Sequence, residues 1–305
     1  MAATILAIGA LVFLAHLFSI WFERTRVPDV LLLILLGLLL GPVLGVVRAE
    51  DLGKVGSVVS TVALVVILFE GGMAIDLTSL ARAFRPTLRI TLVTFLVTML
   101  LGAAVGRLAF EMPWGSAAIL GATVGGTGSA VVIPMVRGLK IGERTSTILI
   151  LESAITDVLC IVMTVGLMTA ALTGELSPFR MLGTILSAML FAALLGALGA
   201  TAWLRALDVV RRLPNTLFAT VAFVFLVYGV TELLGFSGAI AALAFGVALT
   251  NHERIGVDRL ARLKLDKLAT LSPLERDFFA EVGFLLKTFF FVYLGLSMRF
   301  SRNPT

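Results

Sequence analysis

Residues 121 to 130 read Gly121-Ala122-Thr123-Val124-Gly125-Gly126-Thr127-Gly128-Ser129-Ala130, in the middle of an uncharged run from 115 to 136. Four glycines fall within eight residues, and each costs about 1 kcal/mol against alanine in a helix interior. A continuous helix is therefore not expected through this point. What such a break means depends on the solvent around it. The 305-residue chain is 59% hydrophobic and only 14% charged, too little polarity to surface a water-soluble domain of this size. It reads as an all-α polytopic membrane protein, and at bilayer depth unwound backbone is tolerated only where it is buried in protein or lines a wet cavity.

A span needs roughly 20 apolar residues. Ten runs qualify, at about 4 to 22, 28 to 47, 53 to 72, 87 to 108, 115 to 136, 146 to 172, 179 to 204, 214 to 234, 237 to 250 and 279 to 298. The ninth is short, and the fifth carries the break. The N-terminus lacks a basic leader region and a clear cleavage site, so the first run reads as a retained span. Lys and Arg divide seventeen to six between alternate connecting segments, with Lys287 left inside a span. By the positive-inside rule the N-terminus is expected outside. The net charge of +5 thus reflects topology, and no nucleic-acid partner is expected. One cysteine, Cys160, excludes an internal disulfide framework and a thiolate metal cage. The polar segment from Glu253 to Asp277 spaces Ile255, Val257, Leu260, Leu263 and Leu268 among charges, as a cytoplasmic amphipathic helix on the membrane surface does; a solvated linker is the other reading.

Ionisable groups at bilayer depth cost several kcal/mol, roughly 2.5 to 3.5 on insertion scales, so each is a functional candidate. The sixth span carries Glu152-Ser153-Ala154-Ile155-Thr156-Asp157, which places Asp157 about twelve residues in. Ser153, Cys160 and Thr164 share its helix face, and Glu152 and Thr156 form a second pair one residue round. Thr127, about as deep in the antiparallel fifth span, is expected level with Asp157. A broken helix with free carbonyls and a hydroxyl, beside one carboxylate, suits a dehydrated monovalent cation, which wants several oxygen ligands. The cluster's plainer reading is close helix packing through small residues.

Asp157 is the only aspartate expected inside a span, with Asp76, Asp208 and Asp258 in connections. That argues against an intramembrane aspartyl protease, which needs two. Glu70 sits near a span end, where snorkelling and ion binding both remain open. Lys287 either neutralises a carboxylate or reaches an interface. His16 and His252 are isolated, and Trp21, Trp114 and Trp203 lie near span ends as interfacial anchors do. The Gly-Gly-Thr-Gly-Ser run lacks the strand and ribose-binding acid of a dinucleotide loop. No cofactor and no enzyme activity are expected. A cation channel is a rival reading, although channels normally present rings of ligands in a symmetric pore.

Phe69-Glu70-Gly71-Gly72, the break around Thr127, Glu152-Ser153 with Thr156-Asp157, and Phe290-Phe291-Val292-Tyr293-Leu294-Gly295 together resemble the monovalent cation:proton antiporter superfamily, in particular its bacterial and archaeal sodium/proton antiporters. The likeness covers essentially the whole chain. It implies exchange of Na⁺ or K⁺ for protons at Asp157, with Thr127, Ser153, Thr156 and Glu70 as neighbouring oxygens. It also implies a homodimer in the cell membrane, and Glu152 paired with an arginine on a later helix. Thr156 stands where the family commonly has Asn or Asp, and Gly128 where many members have Asp. The family fold has about thirteen helices. Residues 1–305 resemble the first ten, so an incomplete exchanger domain is expected, and a truncated, non-transporting membrane protein is the alternative.

Overall fold

The computed structural model describes residues 2–25, 27–47, 50, 53–139, 141–173, 178–210, 217–252 and 272–298. Every regular element among them is helical: α1 (Ala2–Thr25), α2 (Asp29–Leu38) running into a π-helical turn (Leu39–Val43), α3 (Gly53–Met73), α4 (Leu77–Ala109), α5 (Trp114–Val124), α6 (Ser129–Gly138), α7 (Glu143–Thr173), α8 (Pro178–Val210), α9 (Ala219–Leu233), α10 (Gly238–Thr250) and α11 (Pro273–Ser297). Among the described residues six stretches are long and apolar enough to cross a bilayer, including Trp114–Val136, which contains the break. Four shorter apolar helices supply the rest of the ten expected runs. Leu100, Leu108, Leu172 and Leu190 stand out from the helices largely exposed, a surface that acyl chains solvate and water does not.

Several helix ends lie a few residues from the sequence expectation, and two of the differences have a visible capping cause. Helix α4 begins ten residues before the apolar run, because Asp76 caps it by accepting hydrogen bonds from the N–H groups of Thr78 and Ser79. The segment 253 to 277, expected as a surface helix, lies outside the described residues up to 271. Its last part instead opens α11. There Ser272 and Glu275 form a reciprocal capping box, with Ser272 N–H donating to Glu275 at 2.7 Å.

The chain divides into two compact units. The first holds residues 1–67, 137–140 and 272–305. Its helices α2 and α11 pack through glycine: a Cβ on Gly37 would lie 2.1 Å from the Val292 carbonyl, and one on Gly295 would lie 2.2 Å from that of Ile34. Without a hydrophobic drive between helices in lipid, this close backbone approach is what gains dispersion energy. Beside it Lys287 Nζ donates to Asp29 Oδ2 at 2.7 Å. The open question about Lys287 is thereby answered: it neutralises a carboxylate. The expectation of a single aspartate within the spans is corrected too, since Asp29 is buried in the first turn of α2.

The second unit holds residues 68–136 and 141–271. Helix α5 lies against α4, where a Cβ on Gly121 would sit 2.1 Å from the Met99 carbonyl. The end of α3 packs on α10 in the same manner, through Gly72 and Gly246. Phe95 of α4 joins Ile155 and Leu159 of α7 in a buried cluster. These contacts fix the broken span between α4 and α7.

Candidate functional site

The fifth span is interrupted where its glycines fall. Helix α5 ends at Val124, residues 125–128 are not helical, and α6 starts at Ser129. The break lies directly on α7. A Cβ on Gly126 would stand 2.7 Å from Cys160 Sγ and 3.0 Å from Thr156 Cβ, so only glycine lets the backbone come this near.

Two of the three acids of α7, Glu152 and Asp157, reach the break. Ser129 donates its hydroxyl to Asp157 Oδ2, and its N–H donates to the same oxygen at 3.4 Å. Ser129 is the first residue of α6, where backbone N–H groups have no intrahelical acceptor and the helix dipole favours negative charge. The carboxylate from α7 therefore completes the start of α6. Glu152 is buried and accepts a hydrogen bond from the Thr127 hydroxyl at 2.5 Å. Thr127 N–H donates to Thr156 Oγ1 at 3.3 Å. Further along, Thr123 and Thr164 bring their hydroxyls to 3.2 Å.

The contacts thus gather Asp157, Thr127, Thr156 and Glu152, and add Ser129, which sequence reasoning did not single out. The signal for it was present in the break itself, as the hydroxyl residue on which a helix can restart. Thr127 bonds Glu152 where the depth match expected it opposite Asp157. Ser153 is fully buried and donates to Ile150 carbonyl of its own helix at 3.0 Å. Glu70 is buried in the last turns of α3, between Phe69 and the Gly72 contact with α10.

The oxygens at the break are carboxylate, hydroxyl and carbonyl, hard ligands suited to Na⁺ or K⁺. Among the described residues no three His, Cys, Asp or Glu side chains converge as a transition-metal site would require. No basic side chain pairs with Asp157 among the described residues; its hydrogen-bond donors are neutral.

Discontinuous membrane helices of this kind recur in transporter folds. Residues 9–304 match the transmembrane sodium/hydrogen exchanger family, and the chain belongs to it. The K(+)/H(+) antiporter NhaP2 of Shewanella oneidensis is 28% identical over 287 residues, covering 92% of this chain and 49% of that protein. Na(+)/H(+) antiporter 1 of Methanocaldococcus jannaschii is 27% identical over 144 residues, 47% of this chain and 34% of that one. The chain spans about half or less of the length of these curated relatives. Its fold matches the electron-microscopy structure of the sodium proton antiporter MjNhaP1 from the same archaeon, with a TM-score of 0.72 at 22% identity, over 100% of this chain and 72% of that one.

Proposed function

We propose that the protein exchanges a monovalent cation, Na⁺ or K⁺, for protons, with Asp157 as the group that binds them in turn. The observation that carries this reading is the Asp157 carboxylate set against the broken helix with only neutral donors on it. Removal from water disfavours the charged form of a carboxylate, and either a proton or a cation relieves that penalty. The two ligands therefore exclude one another. Thr127, Thr156 and Ser153 supply neutral oxygens to the cation, Glu70 a further acidic one, and Glu152 holds the break through Thr127.

Alternating access follows if the helices carrying the break move only once Asp157 is neutralised. The names of the relatives, which include both Na(+)/H(+) and K(+)/H(+) antiporters, support the substrate class. The cell (inner) membrane, an external N-terminus and a homodimer complete the proposal, the orientation resting on the seventeen-to-six distribution of basic residues. In proteoliposomes with an internal pH dye, Na⁺ or K⁺ is expected to drive proton movement, and Asp157→Asn to abolish it. Exchange retained by Asp157→Asn overturns the assignment.

A further inference from the structure

Four threonines lie between positions 87 and 98 of α4, and three of them behave as threonines in membrane helices do. Thr87 donates to the Ala83 carbonyl at 2.7 Å, Thr94 to that of Ile90 at 2.9 Å and Thr98 to that of Thr94 at 2.8 Å. Thr91 is the exception. It is fully buried, and its hydroxyl has no hydrogen-bond partner among the described residues. A buried polar atom left unsatisfied is rare and calls for an explanation. The back-bond to the carbonyl four residues earlier is the ordinary one, and Thr91 does not make it.

Its position supplies the explanation. Phe95, one turn along the same face, packs against Ile155 and Leu159 of α7, and its ring lies 3.0 Å from where a Cβ on Gly125 would be. Helices α4 and α5 run antiparallel, since Gly121 meets Met99 and Ala103 while Gly125 meets Phe95. Gly125 is the first residue of the break, so Thr91, one turn further from Phe95 and about 6 Å along the axis, lies past the end of α5, on the side of the break. The uncommitted hydroxyl therefore sits on the helix that backs the proposed site, at the height where α5 has unwound.

We propose that Thr91 is a further oxygen ligand of the monovalent cation, its hydroxyl oxygen replacing part of the ion's hydration shell beside the break. The proposal rests on the exchanger reading above and extends it to a helix that carries none of the other ligands. A hydroxyl is the right group for this task, since it coordinates through its lone pairs without adding charge.

Thr91→Val keeps the shape and removes only the hydroxyl. In proteoliposome exchange it is expected to raise the apparent KM for Na⁺ or K⁺ about tenfold, the loss of one good ligand, with the maximal rate within about twofold. Thr91→Ser is expected to restore the KM, Thr87→Val to leave it unchanged, and the thermal midpoint of Thr91→Val to be no lower than that of the parent. An unchanged KM in Thr91→Val with an equal or higher midpoint overturns the proposal, because a packing role alone gives that result. If Thr91→Val fails to fold, Thr91→Ala against Thr91→Ser decides, and equal KM values overturn it. Loss of exchange in Asp157→Asn together with a silent Thr91→Val removes this inference alone; exchange retained in Asp157→Asn removes the exchanger reading and this inference with it.

Discussion

Asp29 and Asp157 are aspartates carried by apolar helices of different units, and they are neutralised in opposite ways. Asp29 has a built-in cation: Lys287 lies 2.7 Å away, and the two side chains are only 9% and 16% exposed. Asp157 has the hydroxyl and N–H of Ser129 and no basic partner among the described residues. A permanent counter-charge closes a carboxylate to ions, whereas neutral donors leave its charge to be satisfied by something mobile. Burial alone does not mark a transport site. On the exchanger reading, Asp157 is set apart by having no fixed counter-charge among the described residues.

The comparison can be broken most forcefully at the pair. Lys287→Met leaves Asp29 buried and uncompensated, and is expected to cost about 3 to 5 kcal/mol of stability, read by thermal or denaturant unfolding in detergent. Asp29→Asn combined with Lys287→Met is expected to recover most of it. At Asp157 the sign reverses, because Asn there removes a charge that nothing fixed neutralises: Asp157→Asn is expected to unfold at the same temperature as the parent or higher. A large loss of stability in Asp157→Asn, or none in Lys287→Met, would erase the distinction.

Next in size is the break. Gly126→Ala pushes a methyl to 2.7 Å from Cys160 Sγ and is expected to cost about 1 to 3 kcal/mol together with most of the exchange activity. Adding Cys160→Ala is expected to restore part of both. Ser129→Ala comes third. It removes a donor to the charged carboxylate, so the proton competes better and the apparent KM for the cation at fixed pH is expected to rise roughly tenfold. For the same reason the KM of the parent is expected to rise as pH falls. The smallest effect is expected at the exposed Thr123 and Thr164 pair, where valine at both positions is expected to change transport by less than about twofold.

The sequence made some of this legible and hid the rest for identifiable reasons. Apolar runs and glycine cost are local properties, so the helices and the interruption at 125–128 follow from them directly. Asp157 stood out because an acid in the middle of a 31-residue apolar helix is costly. Asp29 did not, because it opens its run just after Pro28 and its partner lies 258 residues away. Which of residues 127 to 129 meets which acid was equally hidden, because counting 1.5 Å per residue fails once the chain unwinds. Thr127 therefore reaches Glu152, and Ser129 takes Asp157. The uncommitted hydroxyl of Thr91 has no sequence signal at all, since Thr87, Thr94 and Thr98 look the same in one dimension.

Competition at one carboxylate is tested most directly by proton release. Purified protein in weakly buffered detergent, at a pH where the site is protonated, is titrated with Na⁺ or K⁺ while the released H⁺ is followed with a pH indicator. The expected result is a saturable release of about one proton per cation bound, absent in Asp157→Asn. Cation binding without proton release, or release that survives in Asp157→Asn, would contradict it.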